Sequence, residues 1–378
     1  MAKKSHHSIF TKIAFFVNII FAIGLLLSYL ASYISPDKFW LIAFFGLAYP
    51  FLLLINLFFV IIWLILGKKH LLLSLLLIIF GFSYLKSTFQ VSPQHLKKGE
   101  ASIKLLSYNL RSFNVYKFHW KDKRRYNDRN LILDFIKGEA ADIMCFQEFF
   151  YDKSGYYTTL DTIVKFQEAK FYHAGYTSDK VANQYFGVCT FSKYPIINRG
   201  KIKFKEKSDN LCIFSDLVKE TDTFRIYNVH LESIRLSKED EMFYEDFGNQ
   251  SEQTEFKLGL RKIFSKLKHA FIKRASQARI IAEHIKQSPY PVIVCGDFND
   301  TPTSYSYHMV SANLKDAFIE SGKGIGNTYN GKFPSFRIDY ILHSNDFSAS
   351  DFEVKKVDYS DHYPITARIV KNKKLNTD

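Results

Sequence analysis

The chain has 378 residues, enough for one large domain with additional segments or for two domains. Its net charge of +14 does not mark the whole chain as a nucleic-acid-binding protein, because the charge is unevenly divided. Residues 1–98 contain nine Lys, no Arg, one Asp and no Glu (net +8), which leaves 42 basic and 36 acidic residues (net +6) for the remainder.

Three apolar runs predict a transmembrane region over residues 1–89, with helices at 13–34, 39–66 and 70–85. The first two are long enough to cross a bilayer at about 1.5 Å per residue, whereas the third is at the lower limit. Two alternatives remain open: a cleaved secretory signal for the first run, and a re-entrant or interfacial segment for the third. A transporter or channel is disfavoured because three spans are few and the runs contain no Asp, Glu, Lys or Arg.

The lysines that flank these runs predict a topology. Lys3, Lys4 and Lys12 precede the first run, and Lys68 and Lys69 separate the second run from the third. By the positive-inside rule the N-terminus is cytoplasmic, so three crossings place the chain from about residue 90 onward outside the cytoplasm. We therefore expect a multi-pass integral protein of the plasma or inner membrane.

Residues 90–101 are polar, contain one Pro and one Gly, and predict a linker. From 102 to 371 short β-rich runs alternate with turns and with helical stretches at Arg129–Lys137 and Leu267–Gln287, which predicts an α/β (α+β) layered sandwich. Residues 237–262 are strongly charged and predict an insertion, either a lid or a solvated helix with loops. The predicted strands are Ile103–Leu110, Asp142–Gln147, Phe186–Phe191, Leu211–Leu217, Phe224–Leu231, Val292–Asp297, Ile338–His343 and Ile365–Val370.

Four cysteines lie in or beside apolar, strand-like runs, without the spacing of a metal site or a redox motif. Small buried side chains are a better explanation for them than a disulfide framework. They are Cys145, Cys189, Cys212 and Cys295.

Acids, amides and histidines follow many of the predicted strands. Each alone is weak evidence, because a carboxylate after a strand is usually a helix cap or turn former, and a lone strand histidine is usually structural. Their number favours one shared cleft, since strand ends of one sheet assembly can converge. The strings are Ser107-Tyr108-Asn109, Gln147-Glu148, Asn228-Val229-His230-Leu231, Gly296-Asp297-Phe298-Asn299, Arg337-Ile338-Asp339-Tyr340 and Ser360-Asp361-His362.

These residue types suit metal-assisted hydrolysis of a phosphoester. Mg²⁺ prefers oxygen ligands, typically one or two carboxylates with water and substrate phosphate, and Mn²⁺ is the other candidate. No pair of soft ligands favours zinc. An attacking water needs a base, and the phosphoryl oxygens need cationic or hydrogen-bonding partners as charge develops.

Seven strings in order, SYNL, QE, GVCTFSKYPI, NVHLE, GDFND, RIDYIL and SDHYPI, resemble the endonuclease/exonuclease/phosphatase (DNase I-like) family. The resemblance covers residues 103–370 and implies a four-layer α/β/β/α sandwich of two sheets flanked by helices, with the active site at one edge. It also implies a catalytic domain, here residues 102–371.

By this resemblance, Glu148 is the principal Mg²⁺ ligand, and Asn109 and Asp361 lie close to the metal. One departure is Arg111, at a position where some DNA-repair members carry an acid, so the repair-nuclease substrate does not transfer directly to this chain.

The resemblance also assigns the catalytic groups. Asp297 orients or deprotonates the attacking water, and Asn299 hydrogen-bonds the phosphoryl group. His230 and His362 contact the scissile phosphate, and Asp339 orients His362.

The substrate class stays open between nucleic acid or a small phosphodiester and a phospholipid head group, as for a sphingomyelinase-like phosphodiesterase or a phosphatase. The implied partners are thus a phosphoester and, through the N-terminal helices, the lipid bilayer; the oligomeric state is undetermined. A non-catalytic membrane-binding module is a further alternative, against which the intact catalytic residues argue.

Overall fold

The computed structural model describes residues 2–372, except for residues 92, 98–99, 118–123, 154, 156, 168, 178–182, 206–207, 236, 238–239, 241–252 and 332–333. Residues 103–371 form two six-stranded sheets with helices. Residues 2–88 form a helical unit, and this name is used below for those residues. The strands are β1 Ile103–Asn109, β2 Ile143–Asp152, β3 Phe171–Tyr176, β4 Gln184–Ser192, β5 Ile196–Ile202, β6 Cys212–Lys219, β7 Asp222–His230, β8 Val292–Asp297, β9 Lys315–Asp316, β10 Asp339–His343, β11 Phe347–Val354 and β12 Ile365–Lys371.

Among the described residues, six α-helices belong to the helical unit and five to the rest of the chain. They are α1 Ala2–Leu30, α2 Pro36–Phe39, α3 Leu41–Leu47, α4 Tyr49–Ile65, α5 Leu71–Phe80, α6 Phe82–Thr88, α7 Arg124–Glu139, α8 Thr159–Gln167, α9 Gln253–Lys286, α10 Tyr305–Ser311 and α11 Ala317–Ser321.

The strand order is β11-β12-β1-β2-β4-β3 in the first sheet and β5-β6-β7-β8-β10-β9 in the second. Two neighbouring pairs are parallel, β1 with β2 and β7 with β8. Parallel strands end at the same edge of a sheet. At that edge Asn109 of β1 lies opposite Gln147 of β2, and His230 of β7 lies opposite Asp297 of β8. The sheet order therefore brings the strand-end polar residues together.

Three apolar clusters hold the layers together. Alternating side chains of both sheets, including Leu105 and Ile293, pack between the sheets. The opposite face of the first sheet packs on α7 and α8 through residues such as Ile136, and that of the second sheet packs on α9 and α10 through residues such as Ile281. The four-layer sandwich implied by the resemblance is confirmed. The four cysteines are free and buried, as the sequence predicts.

Two aromatic clusters mark the two ends of the helical unit. At one end Phe15 stacks on His70 with ring centroids 4.1 Å apart, and Trp63 meets the same ring edge-on. At the other end Tyr29 stacks on Tyr84, 4.9 Å away, close to the start of α4. We call the latter the tyrosine end. Because α1 ends there and α4 begins there, the helices run antiparallel.

Only part of the helical unit is long and straight enough to cross a bilayer. Ile9–Leu30 is a 22-residue apolar helix. The predicted second and third helices are each broken in two: α3 and α4 meet at 63°, and α5 and α6 meet at 69°. The described residues therefore contain one clear candidate span, or up to three if each bent pair counts as one.

The sandwich docks on the tyrosine end of the helical unit. Phe44 contacts Phe264 and Phe271 of α9, with ring centroids 4.9 and 5.2 Å away. Arg279, also on α9, forms an ion pair with Asp37 at 2.9 Å. The segment predicted as a linker is in contact as well, since Gln90 exchanges backbone hydrogen bonds with Gly324.

The eight predicted strands are present, and the structure adds four that lack long apolar runs: β3, β5, β9 and β11. The predicted helix at Leu267–Gln287 is the second half of a longer helix, α9. Of the charged segment 237–262, residues 253–262 form the first part of α9, and residues 241–252 lie outside the described residues. The prediction of a lid therefore remains a prediction.

Candidate active site

The eight predicted site residues lie together at the edge where the parallel strands end, and the space that they share is called the pocket below. Asn109 ends β1, His230 ends β7 and Asp297 ends β8. Asp339 begins β10. The contacts described below join these residues to Glu148 on β2 and to Asn299, Asp361 and His362 in loops. Residues separated by up to 253 positions in the sequence thus share one site.

A β-bulge in β2 sets the direction of the Glu148 side chain. The register between β2 and β4 shifts between Phe146 and Phe149, and Glu148 has a φ of 47°. Non-glycine residues seldom adopt this left-handed conformation, and bulges next to active sites often change the direction of a side chain. The Glu148 side chain is 38% exposed and therefore accessible from the pocket.

A close approach of β7 and β8 sets the position of Asp297. Its neighbour Gly296 has a φ of 148°, and a Cβ there would lie 1.9 Å from the backbone oxygen of Val229. Only glycine fits this contact. It places Asp297 beside His230, with His230 Nε2 3.7 Å from Asp297 Oδ2.

Amide groups fix the Asp297 carboxylate. Asn109 Nδ2 donates to Asp297 Oδ2 at 3.0 Å and lies 3.3 Å from Glu148 Oε1. The backbone N–H of Asn299 donates to Asp297 Oδ1 at 2.7 Å, and Asn299 Nδ2 donates to Oδ2 at 3.1 Å. These hydrogen bonds connect Glu148, a carboxylate of the type that binds Mg²⁺, with Asp297, the candidate base.

A histidine–carboxylate pair forms the opposite wall. His362 Nδ1 lies 3.0 Å from Asp339 Oδ2, and His362 Nε2 lies 3.8 Å from Asp297 Oδ2. Both His362 and Asp339 are buried. With Nδ1 directed at Asp339, Nε2 is free to face a substrate.

Burial and neighbouring charges shift the pKa values of the titratable groups in the pocket in different directions. Removal from bulk water, followed by the negative charge of Asp361, raises the pKa of Glu148 to about 7. Burial raises the pKa of Asp297 and lowers that of His230. Burial also acts to lower the pKa of His362, but Asp339 and Asp297 outweigh it and hold that pKa well above its usual value. His362 is therefore cationic at neutral pH.

Arg111 brings a second positive charge to the pocket rim. Its Nε lies 3.3 Å from Asp361 Oδ2, and its side chain is 49% exposed. The backbone turns here through a left-handed segment in which Arg111 has a φ of 45°. The residue noted from the sequence as a departure from some DNA-repair members thus lies beside the site.

Sequence reasoning missed two supporting groups. Arg274 on α9 is buried, donates to the backbone oxygen of Asn299 and lies 3.5 Å from the carboxylate of Asp300. Beneath the pocket, Gln147 Nε2 donates to Asn228 Oδ1 at 2.8 Å and so links the two sheets. Gln147 and Asn228 stand in the quoted strings, but Arg274 lies on the buried side of a helix where no local pattern distinguishes it.

The donor set fits a divalent cation. Asp297, Asp339 and His362 each offer an atom within 4.8 Å of the others, and all three are buried. Two buried atoms at the site, Asp339 Oδ1 and His230 Nε2, have no hydrogen-bond partner among the described residues. His362 compensates the charge of Asp339 and Asp297, whereas the neighbouring carboxylates of Glu148 and Asp361 repel each other, and such crowding favours a bound cation. Glu148 and Asp361 add two partly exposed carboxylates beside this group.

Comparison with known proteins identifies the class. Residues 106–362, more than half of the chain, match the family model described as Endonuclease/Exonuclease/phosphatase family. The chain belongs to this family, whose members are metal-dependent hydrolases of phosphoester bonds, and it is an enzyme of that class. Residues 11–88 match a model described as Domain of unknown function (DUF8431). A search of curated proteins found no match.

Solved structures match the chain at low sequence identity. An endonuclease/exonuclease/phosphatase from Bacteroides vulgatus is 18% identical with a TM-score of 0.51, covering 72% of this chain and 100% of its own. The human Nocturnin catalytic domain is 17% identical with a TM-score of 0.49, covering 72% and 95%. A family protein from Leptotrichia buccalis is 14% identical with a TM-score of 0.48, covering 71% and 99%.

Proposed function

We propose that the chain is a membrane-anchored, Mg²⁺-dependent phosphodiesterase that cleaves nucleic acid or small phosphodiesters by attack of water. One observation carries this proposal: eight residues chosen from the sequence for metal binding and phosphoester hydrolysis surround a single pocket, with Asp297 at its centre.

Glu148, Asn109 and Asp361 are the residues proposed to hold the cation. Their oxygens are the hard ligands that Mg²⁺ prefers, and Mn²⁺ uses the same ligand types. When bound, the cation supplies positive charge against the phosphoryl oxygens.

Asp297 is the proposed base. Its carboxylate is fixed by Asn109 and Asn299, so it can orient a water molecule and accept one of its protons. The water oxygen forms a bond to phosphorus, the bond from phosphorus to the leaving oxygen breaks, and a solvent proton completes the leaving alcohol. Asn299 is proposed to donate to the phosphoryl group through Nδ2, in place of its bond to the backbone oxygen of Leu231.

His362 and His230 are proposed to contact the scissile phosphate from opposite sides of Asp297. Asp339 keeps His362 protonated and oriented, so that Nε2 donates to a phosphoryl oxygen as negative charge develops. Neutral His230 donates a hydrogen bond without adding charge.

We further propose that the helical unit crosses the membrane three times and places the sandwich outside the cytoplasm. Lys68 and Lys69 lie beside His70, at the end of the unit opposite to the tyrosine end. The positive-inside rule assigns that end to the cytoplasm. The sandwich contacts the tyrosine end and lies on the other side.

A second candidate is a phospholipid-directed phosphodiesterase or phosphatase. It is favoured by the docking of the sandwich, because the segments that follow β8 and precede β10 both touch the helical unit. Both segments lie at the edge of the sandwich that bears the pocket. This edge therefore faces the helical unit.

The test uses the full-length chain purified in detergent micelles, with either Mg²⁺ or EDTA. Plasmid DNA, RNA, sphingomyelin and bis-p-nitrophenyl phosphate are offered in parallel. We expect hydrolysis of nucleic acid or the small diester, its loss in EDTA, and a loss of about 10²–10⁴ in rate on Glu148→Ala. Cleavage of sphingomyelin alone selects the second candidate.

The matched control is Glu139→Ala, which removes a carboxylate paired with Lys104 on the outer side of the first sheet. This variant should retain activity. Near wild-type hydrolysis by Glu148→Ala, or full activity in EDTA, contradicts the proposed site.

A further inference from the structure

The loop after β8 carries two of the proposed catalytic residues and continues into the part of the sandwich that contacts the helical unit. Asp297 and Asn299 stand at its start, and Ser304 caps α10 at its end. We call residues 297–304 the β8 loop. Asn299 has a φ of 53°, so its backbone needs support from the surroundings to hold this conformation.

On its inner side the β8 loop is held by the sandwich. Arg274 donates to the backbone oxygen of Asn299, and the Tyr340 hydroxyl donates to that of Asp300 at 2.8 Å. Neither of these two contacts involves the second half of the loop, Thr301–Ser304.

On its outer side the loop is held by the helical unit. The Thr303 hydroxyl donates to the backbone oxygen of Gly46 at 2.7 Å, and the Ser32 hydroxyl donates to the backbone oxygen of Thr303 at 3.0 Å. Both Ser32 and Thr303 are 1% exposed, so water cannot replace these bonds. The Thr301 hydroxyl lies 3.2 Å from that of Thr303 and extends the network toward Asp300.

The fit at Gly46 is close. A Cβ at this position would lie 3.0 Å from the backbone oxygen of Thr303 and 2.8 Å from the Cβ of Ala31. The backbones of α3 and the β8 loop thus approach at a distance that only glycine permits without a shift of either.

A second contact of the same kind precedes Asp339. Arg337 is buried, forms an ion pair with Asp316 at 2.7 Å and donates through Nη2 to the backbone oxygen of Ser87 at 2.7 Å. Ser87 lies in α6, so both bent helices of the helical unit, α3 and α6, support a segment that carries a proposed catalytic residue.

We infer that the helical unit is part of the active-site scaffold, with Thr303, Ser32 and Gly46 as positioning residues that hold Asp297 and Asn299 in place for hydrolysis. The inference rests on the proposed roles of Asp297 and Asn299. It goes beyond a passive anchor, because contacts from the turn after α1 and from α3 then set the turnover of a pocket in the sandwich.

The test compares full-length variants in detergent micelles. Thr303→Val and Ser32→Ala each remove one hydroxyl between loop and helices, whereas Thr303→Ser keeps the donor. The matched control is Ser74→Ala, which removes an equally buried hydroxyl that bonds Asn56 within the helical unit and does not touch the loop.

We expect Thr303→Val and Ser32→Ala to lower kcat about 10- to 100-fold, because small displacements of catalytic groups cost this much. KM and the half-saturating Mg²⁺ concentration should change little, since Glu148 lies on the other sheet. Thr303→Ser and Ser74→Ala should keep kcat near wild type. Wild-type kcat in Thr303→Val, or an equal loss in Ser74→Ala, overturns the inference.

Hydrogen–deuterium exchange of residues 297–304 separates this inference from the proposed function. Exchange should be faster in Ser32→Ala than in wild type and unchanged in Ser74→Ala, whether or not any substrate is cleaved. Unchanged exchange in Ser32→Ala overturns the positioning role. An inactive wild-type protein with faster loop exchange in Ser32→Ala instead contradicts the hydrolase proposal alone.

Discussion

Strand β10 offers two histidine–carboxylate pairs with buried histidines, one at each end. At the pocket end Asp339 pairs with His362, and at the opposite end His343 pairs with Glu320; each pair has a separation of 3.0 Å. The Asp339 carboxylate is buried whereas that of Glu320 is partly exposed, and the two pairs also differ in what else they face. Only His362 has its second ring nitrogen directed into the pocket, 3.8 Å from Asp297.

This contrast gives a prediction for single residues. His362→Ala should lower kcat by about 10²–10⁴ with the fold retained, because it removes a cationic donor from the phosphate site. His343→Ala should lower the melting temperature and leave kcat of the folded protein near wild type. Steady-state kinetics and circular dichroism check both variants. Equal kcat in the two variants contradicts the assigned role of His362.

At this scale the sequence predicted the members of the pocket but not their supports. Acids, amides and histidines after apolar runs predict one shared cleft, because strand ends converge at one edge, and the family resemblance selects the eight residues within these strings. Arg274 and Thr303 carry no comparable signal: their positions depend on how α9 and the helical unit pack on the β8 loop.

At the scale of elements, β3 is an edge strand whose histidine is shielded by the second sheet. His173 Nδ1 lies 3.0 Å from the Ser215 hydroxyl of β6. Burial, aided by the positive charge of Arg199, lowers the pKa of His173 to about 4. The folded protein therefore binds fewer protons at this site than the unfolded chain between pH 6.5 and about pH 4.

Stability should consequently fall as pH drops through this window. Allowing for partial solvent screening, His173 should account for about 1 kcal/mol between pH 7 and pH 5. His173→Gln cannot take up the proton and should show a smaller drop. Denaturation midpoints at the two pH values measure the difference; an identical drop in wild type and variant contradicts the buried, neutral state of His173.

The strands that the sequence missed have a common physical reason. β3, β5, β9 and β11 are the four edge strands of the two sheets, so each has only one strand neighbour and more exposure. β5, for example, reads IINRGKI and is largely solvent-exposed between its apolar ends. Short or polar edge strands are common in natural sheets and lack the apolar run that predicts a central strand.

At the scale of the whole molecule, the three crossings proposed above would place the N-terminus and the sandwich on opposite sides of the membrane. A C-terminal alkaline phosphatase fusion, which is active only outside the cytoplasm, should therefore be active in a bacterial host. A C-terminal fusion to green fluorescent protein should be dark if it is exported unfolded. Activity of only the cytoplasmic reporter contradicts the topology.

The sequence predicted the sandwich and the apolar runs but not how they join. The bends at Ala48 and Gly81 turn α3 and α6 against the sandwich, where Arg337 contacts Ser87, and Pro50 and Gly81 lie at the two breaks. Hydropathy reports only that a run is apolar, and cannot show where it turns.

The pairing of β1 with β12 has a consequence for biogenesis. β1 lies between β2 and β12, so one of its backbone edges stays unpaired until residues 365–371 have left the ribosome. The helical unit is synthesised long before that moment. Closure of the sandwich must therefore wait until β12 has emerged, and a chain that lacks β12 would keep an open, aggregation-prone sheet.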